Sequence, residues 1–237
     1  MRQLPQKLPT ERDSFEVAMS GISEGAVIYQ NEPGSFKEFE TEAVVNRTGY
    51  SAVEMRSHGC GISALYMATR SLAPVTFIEQ FPTVGLFAQQ ALKLHRNDVT
   101  VFGGKIRKVG NPVFNLKGGW YHDALCFLAK SSGLKASRYE GASLEDCVSE
   151  IKSDTGVKKL HILSFRNSGW RLNGDSSVVT THMVVVSGYR IKQGKVMEMC
   201  ITDSHIEADL KLAPNRWIEV TEEIDAAFTG RFLSVSV

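Results

Sequence analysis

Three residues of this 237-residue chain have types and positions suited to nucleophilic chemistry: Cys60, His182 and Asp203. Cys60 directly precedes residues 62–72, whose apolar side chains recur at helical spacing, so we predict that it opens a helix. Unsatisfied backbone N–H groups and the helix dipole at such a position favour thiolate over thiol. The Cys60 amide could donate a hydrogen bond to a developing oxyanion, and the glycines on either side would leave room for a substrate carbonyl. A buried structural cysteine is the alternative for this segment taken alone.

His182 begins an apolar run, and Asp203 lies just past the next predicted strand. If Ile191 pairs with Val196 across the intervening hairpin turn, the antiparallel register places His182 opposite His205, with Asp203 as a diagonal neighbour on the same face. An aspartate there could accept a ring N–H, fix the tautomer of the imidazole and stabilise the imidazolium ion. A core histidine and a turn-capping aspartate are the alternatives when each residue is taken separately. The joint occurrence, in the order Cys, His, Asp, favours a catalytic triad.

The elements that would position these residues are helices in the first part of the chain and strands in the second. Residues 99–119 are rich in glycine and basic side chains, which predicts an exposed loop or a short hairpin. Helices followed by strands indicate an α+β fold, in which the helix that starts at the nucleophile packs on a C-terminal antiparallel sheet. Periodicity and cap signals predict helices over residues 60–72, 84–95 and 121–132 and from Ser143 onward, and strands over residues 159–165, 183–187 and 196–201.

The composition argues against several functional classes. The chain carries 27 Lys and Arg against 26 Asp and Glu, a net charge of +1, so charge alone attracts neither nucleic acid nor an anionic membrane. The amino terminus lacks the apolar stretch of a secretion signal or a membrane span, which predicts a cytoplasmic protein. The histidines and cysteines form no zinc-binding motif, so we expect no metal and no other cofactor. We interpret Cys126, Cys147 and Cys200 as packing residues.

Four segments carry a family resemblance, at residues 58–67, 119–134, 181–189 and 201–203. Their residues and their spacing are similar to those of the bacteriocin-processing, double-glycine leader peptidase family. The resemblance implies a papain-like cysteine peptidase fold over residues 50–237. Residues 1–49 would then be a lead-in that is either part of the same domain or loosely ordered. The resemblance further implies that Cys60, His182 and Asp203 are the nucleophile, the base and the orienting carboxylate.

One position departs from the family pattern. The family has an oxyanion-donating glutamine six positions before the cysteine, where this sequence has Glu54. An ionised glutamate cannot donate, so Glu54 is protonated, Arg56 or Ser57 substitutes, the backbone amide acts alone, or catalysis is lost. The leading hypothesis is hydrolysis of a peptide or isopeptide bond in a peptide or protein substrate through a Cys60 thioester. The alternatives are an acyltransferase or amidase with the same triad, and a binding module on an impaired peptidase scaffold.

Overall fold

Helices predominate in the first half of the chain, and the strands of an antiparallel sheet predominate in the second. The structure, a computed structural model, describes residues 14–18, 21–22, 26–29, 32, 34–97, 101–102, 105–106, 113–152, 157–166, 181–205 and 214–237. The helices are α1 (Glu42–Thr48), α2 (Ala52–His58), α3 (Cys60–Leu72), α4 (Pro74–Gln80), α5 (Val84–Asn97), α6 (His122–Ser131), α7 (Leu144–Lys152) and α8 (Glu222–Ala227), with a 3-10 helix at Lys37–Glu40. The strands are β1 (Ser14–Ala18), β2 (Val101–Phe102), β3 (Lys105–Ile106), β4 (Phe114–Asn115), β5 (Gly119–Trp120), β6 (Lys135–Tyr139), β7 (Lys159–Arg166), β8 (Thr181–Lys192), β9 (Lys195–Thr202), β10 (Arg216–Glu219) and β11 (Phe228–Ser236).

A seven-stranded sheet organises the fold. Six strands run in the order β10-β9-β8-β7-β11-β6, and β1 also pairs with β8. All of these pairings are antiparallel. The central strand, β8, pairs along one edge with β9, and along the other with β7 near its start and with β1 near its end. The predicted α+β architecture is therefore confirmed.

Two hydrophobic clusters cover opposite faces of this sheet. Met183 and Val185 join the first cluster, with residues of α3, α5 and α6. Val184 and Val186 join the second cluster, with residues of α7 and α8. Because both faces of β8 are covered, its sequence is a continuous apolar run and not an alternating one.

Several local predictions are confirmed in detail. Helix α3 begins at Cys60 and ends at Leu72, the predicted bounds. The Asp146 carboxylate accepts the backbone N–H of Ser143 at 2.8 Å, and the Ser143 hydroxyl accepts the N–H of Asp146 at 3.1 Å, so a capping box stands at the helix start predicted at Ser143. Within the predicted loop at residues 99–119, the described residues contribute to two short hairpins, β2-β3 and β4-β5. Strands β6, β10 and β11 were not predicted.

The first 49 residues contribute to both the sheet and the core. Besides the pairing of β1 with β8, the described residues of this part include four that are buried in the first cluster: Ile22, Ala26, Phe36 and Phe39. The division into a lead-in and a peptidase domain stays a prediction. None of the helices in the described ranges is both long enough and apolar enough to cross a membrane.

Candidate active site

Cys60 lies at the first turn of α3. It is 8% exposed, and its N-cap residue is Gly59. The first backbone N–H groups of an α-helix have no acceptor within the helix, so the amides at the start of α3 are available to a negative charge. The Cys60 thiol therefore lies at a helix start, as predicted.

The two glycines beside Cys60 have a packing role that the sequence did not predict. A Cβ atom at Gly59 would lie 2.8 Å from Cζ of Phe36. A Cβ atom at Gly61 would lie 2.9 Å from both Sδ of Met183 and Cβ of Trp120. Real Cβ atoms essentially never come so close, so these glycines let α3 pack tightly on its neighbours. Close packing therefore accounts for both glycines, and the expectation that they leave room for a substrate carbonyl stays a prediction.

His182 and Asp203 are brought together by the β8-β9 hairpin. Ile191 pairs with Val196 as predicted, and the rings of His182 and His205 lie 5.6 Å apart, centroid to centroid. Nε2 of His182 lies 2.7 Å from Oδ1 of Asp203. Because a carboxylate accepts, Nε2 carries the proton, and Nδ1 is the ring nitrogen left to accept one from a thiol.

The Asp203 carboxylate is itself held in place. Its Oδ1 atom also accepts the backbone N–H of His205 at 2.8 Å. His182 is 5% exposed and Asp203 4% exposed, so the pair is shielded from water. A buried ring bonded to a fixed carboxylate has one defined orientation.

The electrostatics of the site favour a protonated imidazole. Burial alone would lower the pKa of His182, but the Asp203 carboxylate and the hydrogen-bonded Cys60 thiol outweigh it and raise this pKa to about 10. The imidazole therefore interacts with both predicted partners. Such an arrangement can stabilise a thiolate–imidazolium pair.

The Glu54 side chain forms its hydrogen bonds with Ser51. Its carboxylate accepts the backbone N–H of Ser51 at 2.7 Å and the Ser51 hydroxyl at 2.8 Å, and so completes a capping box at the start of α2. These hydrogen bonds lower the pKa of Glu54. Of the four options left open by the sequence, a protonated Glu54 is therefore disfavoured.

The two side chains considered as substitutes for the missing donor also have partners elsewhere. The Ser57 hydroxyl donates to the backbone carbonyl of Val53 at 3.0 Å. The Arg56 guanidinium contacts the Glu40 carboxylate at 3.3 Å. The backbone amide at the start of α3 is the donor that remains.

Two residues of the site's surroundings were not identified from the sequence. Asn215 and Arg216 stand at the start of β10, which was not predicted as a strand. Burial lowers the pKa of the Arg216 guanidinium, while the nearby Asp203 charge raises it. The available signal was Asn215, a turn-forming residue, followed within three positions by the β-favouring pair Trp217 and Ile218.

The remaining cysteines are buried, as expected of packing residues. Cys126, Cys147 and Cys200 are free thiols with at most 9% exposure. Burial raises the pKa of Cys126 and of Cys147. Among the described residues, no group of three or more His, Cys, Asp or Glu side chains could hold a metal ion.

Comparison with solved structures identifies the fold. A protein from Bacillus anthracis assigned as a C39-like peptidase superposes with a TM-score of 0.51 and 18% identity, over 93% of this chain and 97% of its own. A double-glycine motif protease from an AMS/PCAT transporter, solved with the leader peptide, gives a TM-score of 0.42 and 16% identity, over 92% of this chain and 94% of its own. The peptidase domain of Streptococcus ComA, a bifunctional ABC transporter of a quorum sensing pathway, gives a TM-score of 0.39 and 11% identity, over 76% of this chain and 92% of its own.

At these identities the likeness establishes the fold alone. The chain has the fold of a C39-like peptidase, so the resemblance drawn from its motifs is confirmed at the level of the fold. No protein-family profile matches the sequence, and no curated protein sequence matches it either.

Proposed function

We propose that this chain is a cysteine peptidase that hydrolyses a peptide or isopeptide bond through a Cys60 thioester. The observation that carries the proposal is the 2.7 Å hydrogen bond between His182 and Asp203, on an imidazole that also interacts with a thiol at a helix start. The C39-like peptidase fold supports it. The three roles bring together residues that are at least 21 positions apart in sequence, and a purely structural cysteine would not require this meeting.

In the first half of the proposed reaction, Nδ1 of His182 accepts the proton of the Cys60 thiol. The thiolate then attacks the substrate carbonyl carbon, and the carbonyl oxygen becomes an oxyanion. The backbone N–H of Cys60 donates to that oxyanion. Since Glu54 adds no second donor, we expect a turnover number about 10²- to 10³-fold below that of a two-donor site.

In the second half, the imidazolium gives its proton to the leaving amine as the C–N bond breaks. The acyl group remains on Cys60 as a thioester. Water then gives a proton to His182 and attacks the thioester carbon, which releases the acid and restores the thiol. Throughout these steps, Asp203 keeps Nε2 of His182 protonated, so that Nδ1 faces the reacting atoms.

The proposal is tested by the pH dependence of Cys60 alkylation with iodoacetamide, read by peptide mass spectrometry. We expect the wild type to react well below pH 8.5, where a free thiol loses its thiolate, and His182→Ala to lose this acidic reactivity. His58→Ala is the matched control, because His58 lies two residues from the nucleophile and bonds to the Glu54 carbonyl at 3.2 Å instead. The three buried cysteines serve as internal standards in each digest.

Equal pH profiles of Cys60 alkylation in the wild type and in His182→Ala would contradict the proposal. If the profiles differ, a peptide library screened by mass spectrometry should yield a substrate whose cleavage stops in Cys60→Ala.

A second candidate is a binding module on an inactivated peptidase scaffold. The engagement of Glu54 with Ser51 favours it, since the family's side-chain donor is missing. An electrophilic peptide probe that labels Cys60 while sparing Cys126, Cys147 and Cys200 would argue against this candidate. Peptide binding without labelling or cleavage would support it.

A further inference from the structure

We infer that Asn215 is a positioning residue, which ties the N-terminal segment at Gly21 and Ile22 to the turn that carries Asp203. This role rests on the proposed function only in so far as Asp203 serves that function. The link itself consists of hydrogen bonds between residues 193 positions apart.

The first step is a two-pronged contact between Asn215 and Ile22. The backbone N–H of Ile22 donates to Oδ1 of Asn215 at 2.9 Å, and Nδ2 of Asn215 donates to the Ile22 carbonyl at 2.7 Å. The side-chain amide thus satisfies both backbone groups of one residue, as a neighbouring strand would. Ile22 is 3% exposed and belongs to the first hydrophobic cluster, so this segment is anchored by packing as well.

The second step leads from Asn215 to the site. The backbone N–H of Asn215 donates to Oγ1 of Thr202 at 3.0 Å, and Thr202 directly precedes Asp203. The Ser187 hydroxyl adds a contact to Oδ1 of Asn215 at 3.1 Å. Asn215 adopts a left-handed conformation, with φ of 57°, which asparagine tolerates better than most residues. The backbone N–H of Asn215 therefore binds Thr202, while its side chain binds Ile22.

The third step is at the other side of the site. The Phe36 ring packs directly against Gly59, the residue before Cys60. The N-terminal part of the chain therefore contacts both the residue next to the nucleophile and, through Asn215, the turn next to the carboxylate. These two contacts hold the helical half and the sheet half of the site in register.

A shift of the Asp203 turn would act on His182 first. The 2.7 Å hydrogen bond between them fixes which ring nitrogen is protonated, and such a bond weakens steeply with distance and angle. The charged and titratable groups around His182 include Asp203, Cys60, His205 and, on the Asp203 side, Arg216. Asn215 carries no charge, so its removal changes geometry and leaves the count of charges unchanged.

The test uses Asn215→Gly in the full chain. Glycine keeps the left-handed backbone and the N–H to Thr202 but removes the amide that holds Ile22. The ring resonances of His182, followed by NMR over a pH series, report its titration and its tautomer. We expect the titration midpoint of His182 to fall by about one pH unit, which is a tenfold change in the ratio of protonated to neutral ring. The neutral ring should also lose its preference for the Nε2–H tautomer.

Ser143→Ala is the control for a general loss of stability, because Ser143 caps α7 away from this site. It should leave the His182 titration unchanged. If Asn215→Gly does not fold, Thr202→Val removes the Oγ1 acceptor at nearly constant volume and should give the same shift. A His182 titration that is unaltered in the folded variants would overturn the inference.

Cys60 alkylation in the same samples separates this inference from the proposed function. Ordinary thiol reactivity in the wild type, with a His182 titration that still responds to Asn215→Gly, would refute the peptidase proposal and support the link. Acidic reactivity that persists in Asn215→Gly with an unchanged His182 titration would refute the link and support the peptidase proposal.

Discussion

At the scale of single residues, Asp203 determines the protonation state of His182. One oxygen of its carboxylate accepts both the His182 ring N–H and the His205 backbone N–H. Without that charge, burial would govern His182 and favour the neutral ring. The carboxylate is thus the group on which the imidazolium form depends.

We therefore predict that Asp203→Asn lowers the pKa of His182 from its raised value and slows turnover by up to about 10⁴-fold, the loss that the same change causes in a Ser-His-Asp triad. The readouts are the NMR titration of the ring and the alkylation of Cys60 at pH 6. Asp123→Asn, another buried aspartate, in the first turn of α6, is the matched control. A His182 titration unmoved by Asp203→Asn would contradict the role assigned to this carboxylate.

At the scale of elements, the approach of α3 to β8 depends on the missing side chain at Gly61. In Gly61→Ala, the new methyl group would meet Met183 and Trp120, so we expect a loss of about 1–3 kcal/mol in the free energy of unfolding. The displaced helix should also slow Cys60 alkylation at pH 6. Gly118→Ala is the control, because its nearest neighbour would be 3.4 Å away. Wild-type stability and reactivity in Gly61→Ala would show that the contact is not needed.

A buried ion pair connects α7 to β7 on the other side of the sheet. The Glu150 carboxylate lies 2.9 Å from Nζ of Lys159 and 2.7 Å from Nε2 of His161. Burial alone would raise the pKa of Glu150, but these hydrogen bonds lower it from 4.5 to about 2. A pKa lowered by folding means that the ionised carboxylate stabilises the folded state above about pH 4.5, and that this stabilisation is lost as the pH falls toward 2.

Glu150→Gln should therefore destabilise the protein by about 3 kcal/mol at pH 7, because Lys159 and His161 lose their buried partner. The difference from the wild type should shrink between pH 4.5 and 2. Urea unfolding at several pH values measures both effects, with the exposed Glu79→Gln as the control. A difference that is independent of pH would rule out the ion pair as its cause.

At the scale of the whole molecule, one sheet joins both hydrophobic clusters. β8 pairs with three strands and its residues are buried on both faces of the sheet, so its amides should exchange with solvent most slowly among the described strands. Phe36 and Phe39 are each 1% exposed within the first cluster, so residues 34–40 should exchange together with α3. Hydrogen exchange with mass spectrometry tests both expectations. Much faster exchange at residues 34–40 would support a loosely ordered lead-in.

The hairpin that carries the site shows how far register could be predicted. The starting pair, Ile191 with Val196, is correct, and His182 comes to lie beside His205. The sequence did not predict the two register shifts, between Val186 and Gly188 and between Arg190 and Ile191. The first adds a residue to β8 and the second adds one to β9, so the shifts cancel. Bulges depend on packing against the rest of the sheet, which local periodicity does not contain.

The sequence by itself determined the residue types of the site, the start of α3 at Cys60 and the α+β order, because helix periodicity and cap signals are local. Only the tertiary structure decided what the neighbours of these residues do. It showed that Glu54 caps α2, that the flanking glycines serve packing, and that Asn215 binds Ile22. Each of these facts depends on which distant atoms approach a side chain, and hydrogen bonding and close packing settle that choice only when the whole chain is folded.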